Sequence, residues 1–105
     1  DVRTQRIYSA YRLAETDPAP ALAARAWTRC GPPVRARFEP TGGGSDASVF
    51  NARGISSVVL SCGYMAAHSS QEHVALADLV AGAEWVVAIA REAAEIAEGG
   101  LQHAE

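Results

Sequence analysis

The stretch TGGGSDASVFNARGISSVVLSCGYMAAHSSQE, residues 41–72, decides how this chain is read. Gly42, Gly43 and Gly44 form a flexible loop after Pro40, and Ser45 or Asp46 can cap a helix that follows. Residues 46–52 read as a short helix with Val49 and Phe50 as its apolar anchors, closed by Gly54 at a position suited to a left-handed cap. Residues 55–60 are a continuous apolar run interrupted only by serines, the pattern of a strand buried on both faces of a parallel sheet, and Gly63 ends it.

Working outward, residues 34–38 have the length and the β-branched or aromatic ends of a short strand. Upstream, Asp17 and Pro18 give a helix-start signal, residues 21–30 are rich in helix formers, and Gly31, Pro32 and Pro33 stop that helix. Downstream, Leu76, Leu79, Val80, Ala83, Val86, Val87, Ala90 and Ala94 recur at three- and four-residue spacing, so residues 76–97 are expected to form an amphipathic helix ended by Gly99 and Gly100. Trp85 is placed at the margin of its buried stripe. Gly82 inside this helix costs about 1 kcal/mol relative to Ala, which suggests that something packs closely there. Residues 2–8 alternate only weakly, which permits an edge or connecting strand. The order helix, strand, short helix, strand, long helix makes an α/β fold with βαβ connectivity the economical expectation.

A length of 105 residues allows one core. The net charge of −3, with nine arginines, no lysine and no basic cluster, argues against a nucleic-acid surface. No window approaches the roughly 18 apolar residues of a membrane span, and the first residues carry no signal-peptide pattern, so a cytoplasmic location and no membrane partner are expected. Cys30 and Cys62 lack CxxC spacing and read as free thiols, with a disulfide in a secreted chain as the alternative.

Two places carry candidate chemistry. The glycines before Ser45 and Asp46 can present backbone N–H groups to an anion, but their spacing matches neither the phosphate loop nor the dinucleotide fingerprint, and a tight turn explains them equally well. His68 follows the buried-type strand in a small-residue loop, where open α/β sheets place ligand-binding residues. A single histidine is by itself a plain surface or structural residue, because zinc needs three or four ligands and no local set is evident. Glu72 and His73 do not form an HExxH arrangement; Glu72 reads as a first-turn carboxylate near the coming helix, and His73 and His103 as surface residues.

The string GGGSDASVFNARGI, followed by a strand, a GY turn and HSSQEHVALADL running into a long helix, resembles the end of tripeptidase-T-like metallopeptidases. Those belong to the co-catalytic zinc exopeptidase superfamily that also holds carboxypeptidase G, aminoacylase and succinyl-diaminopimelate desuccinylase. The similarity runs from about Tyr8 to Ala94 and is densest between Thr41 and Leu79. It implies a partial three-layer catalytic domain, with a few parallel or mixed strands flanked by helices. Residues 1–10 would be the exit from a lid domain or a connecting strand, residues 11–98 the C-terminal half of the catalytic domain, and residues 99–105 a tail.

The resemblance further implies hydrolysis of short peptides by a metal-activated water, with two zinc ions in the complete parent. The histidine of the family's HxxxE stretch is a zinc ligand and falls on His68. Gly43, Gly44, Ser45 and Asp46 match the family's substrate-side loop. The other ligands, the bridging aspartate and the glutamate base have no counterpart in these residues, so no catalytic residue is expected here, the isolated chain is expected to be inactive, and a lone imidazole is not expected to hold a catalytic zinc ion. Its expected partners are a short peptide in the parent, and either the missing N-terminal half or a second copy in a homodimer. The alternative is a stand-alone self-associating module derived from a peptidase. Ala75 departs from the Ser usual in relatives, which removes a helix cap worth about 1 kcal/mol.

Overall fold

The computed structural model describes residues 1–103, with side chains through Gly100. Three helices are present: α1, Pro18–Arg29; α2, Ala47–Ala52; and α3, Leu76–His103. Among the described residues no β-ladder forms; Met65 and His73 make one isolated antiparallel bridge. The chain divides into two compact units, Asp1–Ala21 with Arg37–Val59, and Leu22–Ala36 with the described residues from Leu60 on.

The first unit holds the start of α1 and all of α2. Pro18 and Pro20 lie in the first turn of α1, where a missing N–H forfeits no intrahelical bond. The Asp17 carbonyl accepts the Ala21 amide at 3.0 Å, as an N-cap residue should, but its carboxylate turns back to the Ala14 amide at 2.9 Å. The orphan amide of Ala19 is capped instead by the Ser56 hydroxyl at 3.0 Å, from 37 residues away.

Helix α2 ends in a Schellman motif: the Ile55 amide donates to the Phe50 carbonyl at 2.9 Å and the Gly54 amide to Asn51 at 3.1 Å, with Gly54 at φ +81°. Gly54 therefore does what its position suggests. Val49 and Phe50 do not anchor the helix. Both are over two-fifths exposed, and the buried residues are Ala47 and Ser48.

Residues 55–60 carry no regular secondary structure, and neither do residues 34–38 apart from a bend at their start. A strand needs a neighbour for its backbone groups, and here a side chain takes that place. The Asn51 amide group donates to the Ser57 carbonyl at 2.8 Å and accepts the Ser57 amide at 3.0 Å, one rung of a ladder made without a second strand.

In the second unit the body of α1 meets α3. Ala23 and Ala26 are buried, the latter completely. Trp27 and Trp85 pack edge to face, with ring centroids 4.9 Å apart at 62°. Trp85 Nε1 donates to the Ala23 carbonyl at 2.8 Å and Trp27 Nε1 to Val34 at 2.9 Å. Trp85 is half-buried in this contact, whereas the stripe expected to be buried is exposed, Leu79, Val80 and Val87 by about half, so the face of α3 that meets α1 is the one carrying Trp85 and Glu92.

Helix α3 does not stop at Gly99 and Gly100 but runs on to His103. Glycine lowers helix propensity without blocking the hydrogen bond, so two glycines in a long helix weaken it rather than end it. The tail placed at residues 99–105 is thus helical as far as it is described; residues 104 and 105 and the side chain of His103 lie outside the described residues. Close packing at Gly82 is also not found. A Cβ there would meet Cys62 Cβ at 3.9 Å, an ordinary contact. Among the described residues no helix is long and apolar enough to cross a membrane.

Candidate functional site

His68 lies on a loop built from the residues around it. The Met65 amide donates to the His73 carbonyl at 2.7 Å and the His73 amide to Met65 at 3.2 Å, which closes residues 65–73 at their base. Within it, Ala66 at φ 54° and His68 at φ 61° both occupy the left-handed region. Such a conformation costs an L-residue roughly 1–2 kcal/mol. It persists only where neighbouring bonds hold it, and such strain clusters at functional positions.

Those bonds are present. Ser69 Oγ donates to the Ala66 carbonyl at 2.6 Å and accepts the Gln71 amide at 3.2 Å, while the Glu72 amide donates to the Ser69 carbonyl at 3.2 Å. His73 Nδ1 stands 2.7 Å from the Gln71 carbonyl. A carbonyl only accepts, so Nδ1 carries the proton and His73 braces the loop. His68 is exposed. Glu72 precedes α3 by four residues and is not part of its first turn, which holds Asp78.

The glycine-rich loop belongs to the other unit. Gly43 donates its amide to Thr41 Oγ1 at 3.1 Å. At Gly44 a Cβ would fall 2.7 Å from the Tyr8 ring, so the absence of a side chain is what lets Tyr8 lie on the loop backbone. Ser45 lends its carbonyl to the Ser48 amide at 3.1 Å. Asp46 occupies the N-cap of α2 in helical geometry and makes no side-chain capping bond, so its carboxylate is left to solvent. His68 and residues 43–46 thus fall in different units.

Two clefts lie in the second unit. One, of about 320 Å³, runs between Leu60–Cys62 and α3 and is apolar; the other, of about 570 Å³, lies between the end of α1 and α3. Neither is lined by His68. Both cysteines are free and exposed.

The model of Peptidase family M20/M25/M40 matches residues 2–92. This chain belongs to that family. A relative, the uncharacterized protein YqjE of Bacillus subtilis (strain 168), is 35% identical over 95 residues, which are 90% of this chain and 25% of that protein. The chain therefore spans about a quarter of that relative's length. No solved structure matches it. Peptidases of this family are generally metal-dependent.

Against that expectation, the His68 loop fits one donor: an exposed imidazole on a backbone tied at both sides. Among the described residues there is no group of three or more His, Cys, Asp and Glu able to hold a metal ion. Zinc takes three protein ligands or more, so these residues offer one ligand and not a site. The bracing by Ser69 and His73 was missed from sequence; a serine next to a candidate ligand and a second histidine five residues on were the available signal.

Proposed function

We propose that this chain is the C-terminal part of the catalytic domain of a zinc-dependent aminopeptidase of the tripeptidase type, in which His68 supplies one imidazole to a metal site completed by the rest of the parent. The observation that carries this is the His68 loop, closed by its own hydrogen bonds and presenting a ligand-type side chain in a strained conformation, within an M20 segment. The chemistry such a metal supplies when bound is Lewis acidity and a nucleophile at neutral pH.

This chain's own part is to hold the imidazole and to offer the backbone of Gly43, Gly44, Ser45 and Asp46 to a short peptide. In the same reading, residues 34–38 and 55–60 are strands of an α/β domain whose neighbours come from the parent, and the location is cytoplasmic. A zinc titration of the purified chain by calorimetry, beside His68→Ala, tests the ligand assignment. Binding that disappears in the variant supports it; binding of equal strength in both removes His68 from the metal site. The chain alone is expected not to hydrolyse a tripeptide, and turnover by the pure protein would refute the partial-domain reading.

A second reading is a self-associating module derived from a peptidase. What favours it is the apolar surface of α3, where Leu79, Val80, Val86 and Val87 are each about half exposed. A defined dimer that binds neither metal nor peptide would decide for it.

A further inference from the structure

We propose that Ser69 is the positioning residue for His68: its hydroxyl fixes the left-handed turn and thereby the direction in which the imidazole is offered. The metal consequence of this rests on the reading of His68 as a ligand; the conformational part does not. One hydroxyl has a single hydrogen and free lone pairs, and Ser69 uses both capacities across the turn. It donates to the Ala66 carbonyl on one side of His68 at 2.6 Å and accepts the Gln71 amide on the other at 3.2 Å. Both left-handed non-glycine residues of the described chain, Ala66 and His68, lie on the segment so clipped.

The remaining bonds do not substitute for it. The Met65–His73 pair closes the base of the loop, and His73 Nδ1 holds the Gln71 carbonyl, but neither touches residues 66–68. Without the Oγ atom, Ala66 and Gln71 are exposed and can bond water instead. Nothing then opposes the return of Ala66 and His68 to negative φ, which L-residues prefer. The loop stays closed at its base while the ring loses its direction. Neighbours that orient a metal-bound histidine alter metal affinity in the same indirect way.

The test compares the purified chain with Ser69→Ala and Ser69→Thr. Nuclear magnetic resonance reads the turn directly, because a positive φ gives a strong intraresidue amide-to-Hα Overhauser effect at Ala66 and His68. A zinc titration followed at the His68 ring signals reads the donor. The effect should vanish in Ser69→Ala and return in Ser69→Thr. Persistence of the Overhauser effect in Ser69→Ala overturns the proposal, as does, where the unaltered chain binds zinc, a turn that opens with no change in that affinity. If the unaltered chain binds no zinc while the turn opens and is rescued as described, Ser69 keeps its role and the ligand reading of His68 in this chain fails.

Discussion

Glu92 is the charged side chain that the second unit buries most deeply, with 8% of it exposed. Its Oε1 lies 3.4 Å from Arg25 Nε and its Oε2 3.0 Å from Arg29 Nη1, so one carboxylate on α3 clamps two guanidiniums of α1. Arg29 Nη1 donates to the Glu95 carboxylate, which leaves Glu92 Oε2 paired by charge without an aligned hydrogen bond. Glu92→Gln removes the charge at almost constant volume. The arginines are more than half exposed and regain water, so the loss is expected at about 1–2 kcal/mol rather than the 3–5 kcal/mol of breaking a fully buried pair. Urea unfolding measures it, and an unchanged midpoint would mean that the tryptophan contacts and the Arg29–Glu95 pair hold α1 to α3 without help from Glu92. Gly82 gives a prediction of opposite sign. With nothing nearer than Cys62 Cβ at 3.9 Å, Gly82→Ala should stabilise the chain by about 1 kcal/mol through helix propensity. A lowered midpoint would reveal a tighter contact than the structure contains.

At the scale of the elements, α3 begins without a capping side chain. Ala75 stands at its N-cap, its carbonyl accepting the Leu79 amide at 3.0 Å, and has no side-chain oxygen to bond the orphan amides. Ala75→Ser should raise stability by about 1 kcal/mol, read as a higher unfolding midpoint with helix content unchanged or slightly increased. The helices were legible in the sequence because their signals are local: Asp17 with Pro18 at the start of α1, Gly54 at the end of α2, and the apolar repeat of α3. The strand expectation at residues 55–60 rested on composition, and composition does not supply a partner. The serines that seemed only to interrupt that run have specific work, since Ser56 caps α1 and Ser57 pairs with Asn51. Such side-chain substitutes for a ladder join positions whose relation no periodicity reveals. At the candidate site, His68 was visible through its loop and its resemblance, whereas its left-handed backbone was not, because alanine and histidine do not announce positive φ as glycine does.

For the whole molecule, large apolar side chains stand at the surface of both units. Leu76, Val86, Ile55, Val59 and Met65 are all more than half exposed. Surface of that kind drives association. The purified chain should therefore bind a hydrophobic dye such as anilinonaphthalene sulfonate and sediment faster as its concentration rises. A dye-silent monomer at every concentration would contradict this. The long-range cap on α1 has a consequence in time as well as in space. During synthesis the Ala19 amide has no hydroxyl to meet until Ser56 has been added 37 residues later. At about 5–20 residues per second that is a wait of roughly 2–7 s. Through that interval the first turn of α1 lacks the cap that the finished chain gives it.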